Sequence, residues 1–587
     1  MRKRFFTVCI ALLLAVCGLF TACGGELIQS IDKNKKQIYV SVFDGGYGHA
    51  WLDSAAADFN KLEEFQKYEI IINPAKTEEG YIYESFQSGT PSADVYFTSN
   101  LYNIKEMIAN DYVLDLSDVY KKDVDGNGTT IEGKLKNPEL YKKAFSDSLT
   151  GKDGVYMLPN GDSFIHFIYD HQNFVDNGWL YTAGAADEQA LTEQGFTFTK
   201  SGDAYYFVSC DHETNYKEDD RILSAGKDGK FGTYDDGQPI TLTQWETMLN
   251  KIKGSGVKSF LWSSRFSDCT MPVSISFLAQ YEGVDNFNLL YSYYGTYNNP
   301  LAASDAKLPD GLKITENNAY LLWNMKGFYQ SFDFMKKYMC GTGYYHSSCV
   351  GISGSQTDAQ NEFLMSYEMP TERQVAMLVD GIWWENEARP TFYSIGAEKP
   401  SRGYGKRDYR VMLTPNLPGQ VGVREDNSGS VLCMSDTGAV FAYKSKDAEK
   451  NEVAKEFIAF SCKDEYLRQF VVTVGASRPF NITLTQEDYN AMTPFAKNVW
   501  AIMNDSENIQ FVRPNVSALL NNINSVSDKR GNLFNAIIPE KTGNRTYSMP
   551  LPALFRTDNT AADYAEYSAK YYEEHWSSYL EDVREWK

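Results

Sequence analysis

Two glycine-rich turns carry enough side-chain oxygen to hold a hard cation. Asp123-Val-Asp125-Gly-Asn127-Gly128 has the alternating donors and glycine that open a calcium loop, but Lys134 stands where the twelfth-position acid belongs, so no intact EF-hand is present. Asp228-Gly-Lys-Phe-Gly-Thr-Tyr-Asp235-Asp236-Gly237 repeats the theme. Asp228, Asp235 and Asp236 are its candidate ligands for a structural calcium, set against a pair of solvated Asp/Gly turns. Glu385 and Glu387 would suit glycoside hydrolysis if both faced one cleft. Asp44-Gly45-Gly46-Tyr47 and Trp383-Trp384-Glu385-Asn386 each join aromatic rings to hydrogen-bonding side chains. A ligand with apolar CH faces and a rim of hydroxyls needs that combination. Gly46-Tyr47-Gly48 sits where a dinucleotide fingerprint would, but Trp51 replaces the third glycine, leaving a tight turn whose following helix offers N–H groups. There is no HExxH, GxSxG or Walker loop, no further cofactor is required, and His166 lies inside an apolar run as a packed residue.

These residues belong to a chain of 587 with 43% hydrophobic residues and 23% charged, an ordinary globular balance that excludes wholesale disorder. The net charge of −21 counts against nucleic acid as a partner. Arg2, Lys3 and Arg4 precede an apolar run from Phe5 to Phe20, which is short for a membrane span and reads as a secretory signal. The run ends in Leu19-Phe20-Thr21-Ala22-Cys23-Gly24, which resembles a bacterial lipobox. Residues 1–22 are then a removable signal, Cys23 the lipidated N-terminus, and 23–37 a polar tether. That location is the outer face of the cytoplasmic membrane. Six cysteines beyond Cys23 fit no zinc spacing; Cys340 and Cys349 are close enough in sequence to pair or to remain free thiols.

The elements that position these residues follow from periodicity. A β-rich run, Gln37 to Phe43, leads into the glycine turn and then a helix with Trp51, Leu52, Ala55, Phe59 and Leu62 on one face. Strands at Tyr68–Ile72 and Ala93–Phe97 alternate with further helices, an α/β pattern with a largely parallel sheet. Ligands of such sheets sit beyond the carboxyl ends of strands, here near Asp44 and Thr98. Residues 181–240 read as an insertion of hairpins and loops, 243–330 return to helical spacing, and Ala561 to Trp586 form a tail helix. Its Tyr564, Tyr567, Tyr571, Trp576 and Tyr579 make a stripe that docks on the core.

The order of these pieces resembles the extracellular solute-binding proteins of bacterial ABC importers, in the sugar-binding group related to maltose-binding protein. The resemblance rests on the lipobox, the strand–glycine turn–Trp helix, and Ala93-Asp94-Val95-Tyr96-Phe97. It continues through Tyr156-Met-Leu-Pro159, Phe164 to Tyr169, and Val375 to Glu385 with its Asp380-Gly381-Ile382-Trp383. Tyr409 to Pro415, Ala454 to Phe460 and Val474-Gly-Ala-Ser-Arg-Pro479 complete it, while residues 181–350 fall outside it. It implies an α/β, two-lobe periplasmic-binding-protein-like fold with a hinge and an interlobe ligand cleft. Lobe one would be 38–160 plus 434–478, and lobe two 161–433 plus 479–587. Carried over by position, the ligand-binding residues would be Asp44, Gly46, Tyr47, Trp51, Asn100, Asp162, Trp383, Trp384 and Glu385, with Trp383 as the sugar-stacking ring. The expected partners are a sugar or oligosaccharide and a membrane permease, and the expected state is a monomer. The alternatives are a cell-surface glycoside hydrolase and a non-transport polysaccharide-adhesion lipoprotein.

Overall fold

The computed structural model describes residues 31–75, 80–99, 101, 103–212, 214–265, 267–300, 307–350, 355–421, 429–476, 478–521, 533–534, 538–539, 546–547, 551, 554–555 and 557–583. The signal, lipobox cysteine Cys23, most of the tether, and Asn100 lie outside the described residues.

β1 (Lys36–Phe43) buries Ile38, Val40 and Val42 and pairs in parallel with β2 (Tyr68–Ala75) and β3 (Val95–Thr98); Val40 stands opposite Ile72 and Val95. α1 (Ala50–Phe59) covers them with Trp51, Leu52, Ala55, Ala56 and Phe59, the face its spacing predicts. Two strands of 13 residues, β4 (Leu158–Asp170) and later β12 (Ser430–Ala442), then run antiparallel through the centre of a nine-stranded sheet.

Between them in sequence come two excursions. A hairpin of β5 (Phe196–Ser201) and β6 (Ala204–Cys210) has its own small core around Leu191, Phe196, Phe207 and Phe231, as expected of the insertion. α2 (Leu242–Gly254) starts at a Thr241/Gln244 capping box and buries Trp245, Met248, Leu249 and Ile252. It precedes β7 (Lys258–Leu261); the helical region beyond is interrupted by a small hairpin of β8 (Gly295–Tyr297) and β9 (Leu312–Ile314). α3 (Gln356–Ser366) leads to β10 (Val375–Gly381), the one-turn helix α4 (Trp384–Glu387) and β11 (Tyr409–Met412). After β12 come α5 (Asp464–Val474), α6 (Pro494–Asn504), β13 (Ile509–Val512) and the tail helix α7 (Ala561–Val583).

The sheet order β2-β1-β3-β12-β4-β10-β7 makes β4 and β12 members of two halves at once. The end of β12 (Ala439–Ala442) pairs with β3, whereas its start (Ser430–Cys433) pairs with β13. The second part of β4 pairs with β10 and β11. Where the two crossing strands meet, their register slips twice, between Met434 and Asp436 and between Gly438 and Ala439. Such irregularities bend strands, and they lie at the junction of the halves.

On α7 Tyr564, Trp576 and Tyr579 of the stripe pack inward as expected, while Tyr567 and Tyr571 are only partly buried, Tyr571 stacking on His575. Tyr572, outside the expected stripe, is fully buried and stacks on Trp323 at 3.8 Å. All six described cysteines are free thiols, so Cys340 and Cys349 do not pair; burial pushes the Cys340 thiol up to about 12. No helix among the described residues is long and apolar enough to cross a membrane.

Candidate functional site

Asp44 to Gly48 leave the carboxyl end of β1 in a turn that the sequence itself fixes. The Asp44 carboxylate accepts the Gly48 N–H at 3.0 Å, and its carbonyl accepts the Tyr47 N–H at 2.6 Å. Gly46 adopts φ +84°, and a Cβ there would lie 2.9 Å from Trp383 Cδ1 and 3.0 Å from Glu387 Cβ. Only glycine allows this backbone to lie flat against the loop after β10. Asn386 donates its Nδ2 amide to the Gly46 carbonyl at 2.5 Å.

Tyr47 is the ring that joins the halves. Its centroid lies 5.4 Å from Trp383 and 6.3 Å from Phe470, and its hydroxyl donates to Ser163 Oγ at 2.6 Å. Trp51 packs edge-on against Phe97 and Phe470 at 5.7 and 5.8 Å. The buried Arg478 guanidinium lies 5.1 Å from the Trp51 ring and donates to the Ser461 carbonyl at 2.8 Å, so a cation–π contact backs that wall. Tyr47, Trp51, Thr98, Asn160, Gly161 and Phe470 line a cavity of about 30 Å³, space on the scale of one or two waters.

Of the expected ligand residues, Asp44, Gly46, Tyr47, Trp51 and Trp383 are gathered here; three others are directed elsewhere. Side chains alternate along β4, so Ser163 meets Tyr47 while Asp162 faces the opposite side of the sheet. There its carboxylate accepts from Tyr141 Oη at 3.1 Å, Thr437 Oγ1 at 3.1 Å and the Arg513 guanidinium at 3.1 Å. Trp384, fully buried, sits among Phe363, Phe392, Tyr409 and Phe495 with centroids 5.0–5.8 Å away. Glu385 accepts from Thr493 Oγ1 at 2.6 Å, and burial pushes its carboxyl up to about 7. Glu385 and Glu387 therefore do not flank a common cleft.

Sequence reasoning placed Thr98 and Asn386 near the site and named Glu387 only as half of an acid pair with Glu385; it missed Phe470, Asp380 and Gln360. Asp380, Glu387 and Gln360 form a buried group beside Trp383: Gln360 Nε2 donates to Asp380 at 3.0 Å and to Glu387 at 2.7 Å, and Gln356 donates to Asp380 at 2.5 Å. Burial, then the Glu387 charge, pushes the Asp380 carboxyl up to about 7. Glu387 is raised by burial and then by Asp44.

A raised carboxyl holds its proton longer in the folded state, so the stability it contributes falls as pH climbs from about 4, its unfolded value, to about 7. Asp380→Asn keeps the neutral shape at every pH. It is expected to melt within error of the parent at pH 5 and a few °C higher at pH 8. Thermal melts at both pH values check this, and a difference that does not change with pH overturns it.

The metal expectations find other occupants. Asp123 accepts the Asn127 and Gly128 N–H groups, and Lys134 itself pairs with Asp125 and with Asp464, filling the loop with a cation of its own. Asp235 accepts the N–H groups of Lys227 and Asp228 at 2.7 and 3.2 Å, and Asp236 accepts Gly232 N–H and Tyr216 Oη at 2.8 and 2.7 Å. Asp228, Asp235 and Asp236 thus act as turn and core acceptors and are not gathered into one ligand set. Among the described residues, the one group of three ligand atoms within 4.8 Å of one another is Cys210, Asp211 and His212, at the end of β6 and far in sequence from the cleft. His166 is packed as expected: fully buried and 2.9 Å from Thr414 Oγ1, it is pushed down to about 3 by desolvation and then by Lys227.

No family model matches the chain, and no curated protein does. Solved structures do. RafE from Streptococcus pneumoniae is 13% identical over 93% of this chain and 99% of its own, with a TM-score of 0.50. A chitin oligosaccharide binding protein is 12% identical over 93% of this chain and 100% of its own, with a TM-score of 0.51. A probable secreted solute-binding lipoprotein from Streptomyces coelicolor is 12% identical over 92% and 100%, with a TM-score of 0.50. At such identities the likeness concerns architecture, and the architecture is the two-lobe, periplasmic-binding-protein-like α/β fold in which β4 and β12 cross between lobes.

Proposed function

We propose that this chain is a substrate-binding protein that captures a sugar or oligosaccharide between its lobes for an ABC importer. The observation that carries the reading is the Tyr47–Trp383 ring pair, one ring from each half, flanked by Asp44, Asn386 and Glu387 as hydrogen-bonding groups. Rings suit the CH faces of a sugar, and carboxylates and amides suit its hydroxyls. The fold shared with RafE and with a chitin oligosaccharide binding protein supports it. Binding works by hinge closure: a ligand touching both lobes favours the closed arrangement by its differential contacts, and no covalent step is involved.

In this reading lobe one comprises 38–160 and 434–478, consistent with α5 packing on α1, and lobe two comprises 161–433 and 479–587. Cys23 carries the lipid that holds a monomer at the outer face of the membrane, next to its permease. Isothermal titration against maltotriose, cellotriose, mannotriose and chitotriose tests the reading. Saturable binding of at least one is expected; silence towards all four, with a peptide or a metal bound instead, refutes a sugar ligand.

A further inference from the structure

The wall beside Trp383 is built of charge without counter-charge. Asp380 is the penultimate residue of β10 and Glu387 ends α4, while Asp44 begins the opposing turn. Asp380 is 2% exposed and Glu387 half-buried. Among the described residues no Lys or Arg pairs with any of the three. Their charged neighbours are one another: Glu387 acts on Asp380, and Asp44 acts on Glu387. Gln356 and Gln360 supply only neutral amides. The fully buried Gln360 spends its Nε2 on both carboxyls, and its Oε1 has no partner. Some buried acids of the chain do find a cation, as Asp162 with Arg513 and Asp170 with Arg407, whereas Asp235, Asp236, Glu282 and Glu385, like Asp380, are held by neutral donors. What sets this wall apart is that its acids lie beside the Tyr47–Trp383 ring pair.

We infer that this wall selects ligands by charge, admitting neutral glycans, favouring those with an ammonium group, and rejecting uronic acids. The inference rests on the sugar-binding reading and names the class within it. A carboxylate brought about 6 Å from one uncompensated acid, at an effective dielectric near 20, loses roughly 100-fold in affinity. An ammonium gains by the same field, less the cost of its own desolvation, leaving about 10-fold. The carboxyls accept hydroxyl protons from neutral sugars, which need no counter-ion.

The experiment uses the best-binding neutral trisaccharide of the four above, together with its derivatives carrying an amine or a carboxylate at C6 of each ring. Titrations at pH 8, where the acids are ionised, are expected to rank amine over neutral by about 10-fold and neutral over carboxylate by about 100-fold. In Glu387→Gln, and separately in Asp44→Asn, the span between amine and carboxylate is expected to shrink at least 10-fold, with melting curves recorded for both. Equal affinity of the three forms, or an unchanged span in both folded variants, overturns the charge selection while leaving sugar binding intact. Failure of all four neutral glycans overturns the sugar reading itself, and the selection with it.

Discussion

Trp383→Ala is expected to weaken glycan binding about 100-fold or more while leaving a folded protein. Trp383 is 8% exposed, and its ring faces Tyr47 at 5.4 Å across the junction of the halves. A central aromatic that loses its water on binding contributes about 2–4 kcal/mol by the usual cost of truncating such residues, which is a 30- to 1000-fold change. Its removal would also free the turn at Gly46, which lies flat against the indole. Titration of the variant alongside its melting curve separates the effects. Retained affinity would remove Trp383 from the site, and a collapse of the melt would make it a core residue.

Its neighbour is expected to do the reverse. Trp384→Ala empties a position enclosed by Phe363, Phe392, Tyr409 and Phe495. Large-to-small changes of a buried aromatic cost about 3–5 kcal/mol, so the melting midpoint should fall by several degrees. The fraction that stays folded should bind glycans with near-parental affinity, because the indole is enclosed by those four rings and makes no contact with Tyr47. A normal midpoint with lost binding would exchange the roles of the two tryptophans.

The contrast between these adjacent residues shows where sequence reading stops. The aromatic-acid run after β10 was legible as a candidate site, but successive residues of a helical turn point about 100° apart. Trp383 precedes α4 and Trp384 opens it, so one turn sends the first ring to Tyr47 and the second into the core. Asp162 and Ser163 pose the same problem on a strand, where neighbours face opposite sides. Both lie at the crossing, yet only Ser163 meets Tyr47. Phe470, Asp380 and Gln360 were invisible for another reason. Each looks like ordinary helix or strand packing in its own segment, and only the fold carries it to Tyr47 or Trp383.

The sequence by itself determined the local elements: the β1–glycine turn–α1 unit, the parallel start of the sheet, the hairpin insertion and the docked tail helix. Those follow from hydrophobic periodicity and from glycine at a left-handed turn, properties of a few neighbouring residues. The tertiary structure decided which acids gather beside Trp383, which tryptophan packs on Tyr47, and that Lys134, paired with Asp464, occupies the loop where a calcium was conceivable. These depend on contacts between residues tens to hundreds of positions apart. Whether a carboxylate finds an arginine, as Asp162 does, or only other acids and amides, as Asp380 does, is settled when the chain closes on itself.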